Sequence, residues 1–133
     1  MKKFEFLSHP ADLKMQSYGH DLPELFSNAA LGMMSALYDT GNVEKYRSDK
    51  ISIEAPDQEA LLVDWLSEIL MLSDTNDMAY TDFQISEITA NKITAKISGG
   101  SAPAKDDIKA VTYSELAIKK DKNNYEATIV FDI

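Results

Sequence analysis

The 133-residue sequence contains no cysteine, only two histidines and a single tryptophan. The absence of cysteine excludes disulfides, thiolate zinc sites and a cysteine nucleophile within this chain. With only His9 and His20, few side chains can serve as general bases near neutral pH. The sequence also lacks a glycine-rich phosphate loop, a paired-histidine zinc motif and a serine nucleophile motif. These absences argue against an enzyme that turns over a substrate by itself.

Basic residues are also few. The sequence has 13 lysines and arginines and 22 acidic residues, which gives a net charge of -9. Strong direct binding to a nucleic-acid backbone requires a basic surface, so we do not expect it here. The acidic balance is consistent with a solvated surface, a basic protein partner, or carboxylates that bind a hard cation. Charge alone does not distinguish these three.

Long apolar runs are absent as well, and no stretch approaches the length needed to span a bilayer. Glu5 interrupts the only place where the start of the chain could form the apolar part of a signal peptide. We therefore expect a cytoplasmic protein with no membrane association. A length of 133 residues with 44% hydrophobic residues predicts one globular domain over residues 1–133.

Residues 57–73, DQEALLVDWLSEILMLS, are predicted to form the central core helix. Asp57 follows Pro56 and can cap the free amides of the first turn. The polar segment SDTND is expected to end the helix. Its apolar residues recur at helical spacing and predict a broad buried face with a second flank: Leu62, Trp65, Leu66, Ile69 and Leu72, then Val63, Leu70 and Met71.

A second helix is predicted from Leu22 to about Leu37, with Asp21 as its cap and Pro23 in its first turn. Alternating apolar residues predict strands at 3–7, 13–18, 50–55, about 83–88, 93–97, 108–118 and 125–133. Residues 99–107 are expected to form a loop. The order ββαβαββββ predicts an α+β fold, with two helices packed on a largely antiparallel or mixed sheet or a sandwich.

Three polar stretches contain side chains that can bind a ligand or react. His9-Pro10-Ala11-Asp12 separates two predicted strands, although a turn with local hydrogen bonds would explain it equally well. Asp132 precedes the terminal carboxylate of Ile133, and such oxygen donors suit calcium or magnesium, although acidic residues in final strands are commonly only solvated. Lys109 and Tyr113 begin a long strand, where both are also ordinary residues that reach water.

Five segments in order resemble the archease family, small proteins that activate the RNA ligase which joins tRNA exon halves in tRNA splicing. The likeness covers nearly the whole chain. Lys14 lies near a position that is frequently glycine in the family, Ser8 and Pro10 also differ from the usual residues, and the loop at 99–107 is shorter than in many relatives. The five segments are FEFLSHPAD with SYG, LPELFSNAALGMMSAL, LLVDWLSEILML, IKAVTYSEL and IVFDI.

The resemblance implies an α+β protein with no catalytic residues of its own and one divalent metal site. Carried over to this sequence, the metal ligands are Asp12, Asp132 and the main chain or terminal carboxylate of Ile133, and the ion is calcium, magnesium or manganese. The resemblance also implicates Lys109 in ligase activation, and His9 of the opening motif is a further candidate. The implied partner is a 3′-phosphate tRNA-splicing RNA ligase, whose guanylylation and multiple turnover the family promotes.

Two other functions remain open at the level of sequence. Asp12 and Asp132 could hold a metal ion that activates water, as in a metal-dependent hydrolase or nuclease. The acidic composition argues against this function, because it would repel an approaching RNA. A general chaperone-like interaction domain would need an exposed apolar patch, which the sequence does not identify.

Overall fold

The chain forms two helices and seven strands in a computed structural model that describes residues 2–133. The α+β fold and the order ββαβαββββ are confirmed. The elements are β1 (Phe4–Leu7), β2 (Leu13–Gly19), α1 (Leu22–Leu37), β3 (Arg47–Glu54), α2 (Gln58–Asn76), β4 (Ala79–Ile88), β5 (Lys92–Gly100), β6 (Ala110–Asp121) and β7 (Asn124–Asp132).

The strands form two sheets, and every pairing between named strands is antiparallel. The larger sheet has the order β1-β2-β7-β6, and the smaller has the order β3-β5-β4. The last strand of the chain therefore lies in the interior of the larger sheet. Both of its edges are occupied, by β2 on one side and β6 on the other.

Both helices begin where their capping residues predict. The Asp21 side chain accepts a hydrogen bond from the Glu24 amide at 2.9 Å, and that of Asp57 accepts one from the Ala60 amide at 2.8 Å. These bonds satisfy amides that have no partner within the helix. Each helix contacts strands of both sheets, so its apolar face is covered.

Trp65 lies at the centre of the core and is fully buried. Its indole nitrogen donates a hydrogen bond of 3.0 Å to the main-chain carbonyl of Phe26 in α1, and its ring meets Phe83 of β4 edge-on at 6.2 Å. One side chain therefore joins α2 to α1 and to the smaller sheet. Such an aromatic contributes apolar area and a satisfied polar group at once.

Helix α2 is longer than predicted and its second flank is less buried. The helix ends within the predicted segment SDTND, but only at its last residue, because it continues to Asn76 before Asp77 adopts a left-handed φ of 51°. Met71 was placed on the buried flank, yet its side chain is 52% exposed. The prediction for Met71 was wrong, because the Met71 side chain points away from the helices and sheets that cover Trp65.

Several strand limits also differ from those predicted. Strand β3 begins at Arg47, since an exposed edge strand of the smaller sheet tolerates polar side chains. Gly99 and Gly100 belong to β5 and not to a loop, because they pair with Tyr80 and Ala79 of β4. A Cβ at Gly99 would collide with the Ala79 carbonyl, so glycine is what permits this close approach.

The bounds of the last two strands also differ from the predicted ranges 108–118 and 125–133. Strand β6 begins at Ala110 and runs to Asp121, and β7 runs from Asn124 to Asp132. Val130 lies on the face of β7 opposite to Ile129 and Phe131, and it is also buried, at 1% exposed. Neither helix of the described chain is long and apolar enough to cross a membrane.

We predict that Trp65→Ala lowers the free energy of unfolding by about 3–5 kcal/mol, the range for deleting a large buried aromatic side chain. Trp65→Phe should cost less, because it keeps an aromatic ring but removes the donor to Phe26. Urea denaturation of the three proteins measures both differences. An unchanged midpoint for Trp65→Ala would contradict the central position of this side chain.

Candidate functional site

The pairing of β7 with β2 brings the start of β2 beside the end of β7. Phe131 pairs with Leu13 of β2 on one side and with Val111 of β6 on the other. Asp12 directly precedes β2 and Asp132 is the last residue of β7, so the two lie at the same end of the sheet. Two predicted ligands that are 120 positions apart in the sequence therefore lie on adjacent chain segments.

Lys109 reaches the same end of the sheet from the opposite side. Its amide donates a hydrogen bond of 2.7 Å to the main-chain carbonyl of Asp132. The residue was predicted within a strand starting at 108, but it precedes the first residue of β6. Lys109 is exposed, so its ammonium group is accessible to a partner at this end of the sheet.

The donor set at this end of the sheet has the chemistry that a hard cation requires. The Asp12 side chain is 37% exposed, and Asp132 and Ile133 are exposed as well. Within residues 2–133, neither aspartate forms an ion pair with a lysine or arginine. Two carboxylates that form no ion pair with a lysine or arginine, together with the carboxyl oxygens of Ile133, suit calcium, magnesium or manganese.

Between Lys2 and Ile133 the fold forms no group of three or more histidine, aspartate or glutamate side chains close enough to hold a metal ion. The predicted ligand set is of a different kind. It contains only two acidic side chains, and its remaining donor is the main chain or terminus at Ile133. The metal site therefore stays a prediction.

His9 lies between two carboxylates. Its Nε2 is 2.6 Å from a carboxylate oxygen of Glu115, and its Nδ1 is 3.5 Å from one of Asp12. A carboxylate can only accept, so Nε2 carries the proton. In the neutral ring Nδ1 is then an acceptor, and it is buried with no hydrogen-bond partner. The contact with Glu115 of β6 thus holds the imidazole ring of His9 beside Asp12.

Glu115 has a second partner, because Lys14 of β2 donates to its other carboxylate oxygen at 2.9 Å. We call His9, Lys14 and Glu115 the outer-face cluster. It ties the loop that carries Asp12 to β6 across the intervening strand β7. Lys14, which lies near a position that is frequently glycine in the family, thus has a defined partner in Glu115.

A bulge in β6 makes this contact possible. Residues 113–116 lie between the pairs Thr112↔Val130 and Ala117↔Thr128, so four residues face a single position of β7. Glu115 adopts a left-handed φ of 55° there, which is uncommon for a residue other than glycine. Residues 113–116 contain neither glycine nor proline, so nothing in the sequence predicts this bulge.

The hydrogen bond from Lys14, followed by that from His9, holds the pKa of the Glu115 carboxyl below its ordinary value of 4.5. A carboxylate with a depressed pKa stabilises the fold above its unfolded-state pKa. That contribution is lost as pH falls through the lower folded-state value. Since Glu115 is exposed, the contribution is expected to be small.

We predict that Glu115→Gln is less stable than the natural sequence at neutral pH, and that the difference is lost as pH falls from the ordinary carboxyl pKa of 4.5 through the lower folded-state pKa. Urea midpoints measured from neutral to acidic pH test this. Glu54→Gln is the matched control, because Glu54 is exposed and forms no ion pair within residues 2–133. A constant difference across this pH range would contradict the role of the charge.

The chain was also compared with protein families and with known proteins. Residues 4–133 match the model of the Archease protein family. Protein archease of Methanosarcina acetivorans is 40% identical over 141 aligned positions, which cover 99% of this chain and 97% of the relative. The corresponding protein of Methanothermobacter thermautotrophicus is 33% identical, with full coverage of both chains.

Solved structures show the same fold. The solution structure of Methanobacterium thermoautotrophicum protein 1598 is 32% identical and superposes with a TM-score of 0.82 over the whole of both chains. A crystal structure of a Thermotoga maritima archease, described there as a possible chaperone, is 17% identical and has a TM-score of 0.68, covering 96% of this chain and 94% of that one. The family match and the identity to several archeases over their full length agree: the chain belongs to the archease family.

Proposed function

We propose that this protein is a non-catalytic cofactor that activates a 3′-phosphate tRNA-splicing RNA ligase by promoting its guanylylation and multiple turnover. The observation that supports the proposal is the convergence of Asp12, Asp132, Ile133 and Lys109 at one end of the larger sheet. Membership of the archease family supports it as well. The absence of catalytic motifs in the sequence is consistent with an activator.

The proposed site would hold a divalent ion through the Asp12 and Asp132 carboxylates and the main chain or terminal carboxylate of Ile133. When bound, the ion would supply positive charge close to the ligase's nucleotide phosphates. Lys109 would add a second positive charge beside it. Charge stabilisation of this kind is strongest in an interface from which water is partly excluded.

The residues around the proposed site would orient it. Asp132 is held by the Lys109 amide, and the loop carrying Asp12 is held by the contact between His9 and Glu115. Second-layer contacts of this kind fix the geometry of ligands and influence metal affinity. His9 would therefore act as a positioning residue and would not react with the nucleotide.

A protein partner that is contacted only transiently is consistent with this function. An activator that serves many catalytic cycles must dissociate after each one, so a weak and fast interaction suffices. The acidic surface also makes it unfavourable for the protein to bind RNA by itself. We therefore assign RNA binding to the ligase alone.

For the metal site, we predict that calcium, magnesium or manganese binds and that Asp12→Asn and Asp132→Asn each weaken binding at least about tenfold, through loss of one charged ligand. Adding residues after Ile133 should weaken it too, because this displaces the terminal carboxylate. Isothermal titration calorimetry with each ion is the measurement. Asp121→Asn is the control, since Asp121 is exposed at the far end of β6. Equal affinities of the natural sequence, Asp12→Asn and Asp132→Asn would refute the site.

For the activity, we predict that the protein converts its cognate ligase from early arrest to repeated turnover. The assay joins two RNA halves in large excess over ligase, with GTP and Mn²⁺, and measures both ligated RNA and guanylylated ligase. Asp12→Asn, Asp132→Asn and Lys109→Ala should abolish the stimulation while remaining folded. Lys50→Ala, which removes an exposed lysine on β3, should retain it.

Other outcomes of the same assay identify the competing functions. Cleavage of RNA by the protein with metal and without ligase would support a metal-dependent hydrolase. Stimulation that survives all three substitutions, together with suppressed aggregation of the ligase, would support a chaperone. Either result would refute the proposed activator mechanism.

A further inference from the structure

A groove separate from the outer-face cluster runs between the second half of α2 and the start of β6. It has a volume of about 670 Å³ and is open to solvent. Leu70 and Met71 of α2 line one wall, and Ile108 and Val111 line the other. We call this the α2–β6 groove. Its volume lies within the range of sites that bind ligands or short peptide segments.

The apolar part of the groove includes one strongly exposed side chain. Met71 is 52% exposed, although it sits on the helix that forms the core of the protein. An exposed methionine is a flexible and polarisable contact that adapts to different apolar side chains. The polar side chains around it make the groove a rimmed apolar surface, which is typical of interaction sites.

The rim of the groove is acidic. Asp74 and Asp77 stand at the end of α2, and Asp106 and Asp107 stand on the loop that precedes β6. All four are exposed, and none forms an ion pair within residues 2–133. Lys109 is the single basic residue among the groove-lining residues. The groove therefore has a clear excess of negative charge around an apolar centre.

The end of α2 strengthens this negative potential. The last turn contains no basic residue, so the carbonyl end of the helix dipole is not neutralised by its own side chains. Asp74 and Asp77 add full negative charges at the same end. This arrangement is unfavourable in the isolated protein and would be relieved by an approaching cation.

We propose that the α2–β6 groove docks a lysine- or arginine-bearing peptide segment of a protein partner, with an apolar side chain of that segment seated against Met71. Charge complementarity selects a basic segment, and the apolar walls distinguish a peptide from a simple polycation. The acidic rim excludes a nucleic-acid backbone from the same place. This inference needs no particular enzyme as the partner.

The test uses three labelled short peptides and fluorescence anisotropy. The first probe carries lysines and leucines separated by serines, the second replaces leucine with serine, and the third replaces lysine with glutamate. We expect the first probe to bind most tightly and the third not to bind. Amide shifts in ¹⁵N NMR spectra should change at α2 residues 67–77 and at residues 104–111.

Variants separate specific docking from attraction by the overall negative charge. Asp74→Asn/Asp107→Asn should weaken binding of the first probe by about tenfold. The control Glu54→Gln/Asp121→Asn removes the same charge from exposed positions outside the groove and should change it much less. Met71→Gln should weaken binding of the leucine-containing probe and leave the serine-containing probe unchanged.

Three outcomes would overturn the proposal. The first is equal weakening by the two charge-matched pairs, which indicates attraction without a site. The second is shift changes that lie mainly outside the groove. The third is no binding of the first probe by the natural sequence at low ionic strength. Each of these results can be obtained without an RNA ligase, so they do not depend on the proposed ligase activation.

Discussion

The pairing of β7 with both β2 and β6 is the constraint on which the arrangement of the whole chain depends. Phe131 is fully buried and is flanked by Leu13 and Val111. A shift of one residue in either pairing would turn Phe131 and Ile129 away from the core and direct the polar Thr128 into it. The burial of this ring therefore fixes the register, and the register places Asp12 and Asp132 at the same end of the sheet.

Both faces of β7 are buried near the end of the strand. Ile129 and Phe131 are buried on one face, and Val130 is buried on the other. Lys14 pairs with Val130 and donates across this second face to Glu115 in the β6 bulge, which also contacts His9. The outer-face cluster thus contributes to the same register that positions the proposed metal ligands.

Regular periodicity made much of the fold predictable. The apolar residues of α1 and α2 repeat at helical spacing, and their caps at Asp21 and Asp57 form the expected hydrogen bonds. The order of strands and helices along the chain followed from alternation and from turn residues. These features are local, so a single sequence contains enough information to predict them.

The unpredicted features depend on partners that are distant in the sequence. Nothing near Glu115 indicates that it binds His9, which is 106 residues away. The exposure of Met71 depends on where the loop before β6 crosses α2. Gly99 and Gly100 resembled a loop because glycine is common in turns, yet here glycine allows β5 and β4 to approach closely. Tertiary contacts decided each of these cases.

Lys109 connects the two surfaces for which we propose functions. Its amide is bonded to Asp132 beside the proposed metal ligands, and the residue also lines the α2–β6 groove. A partner segment in that groove would therefore lie next to the end of the sheet where Asp12 and Asp132 meet. Because the net charge of -9 disfavours contact with RNA, an activator of this kind must reach an RNA-bound enzyme through the enzyme's own protein surface. A groove that selects a basic peptide would provide that contact and would set the distance from the docked partner to the proposed metal site.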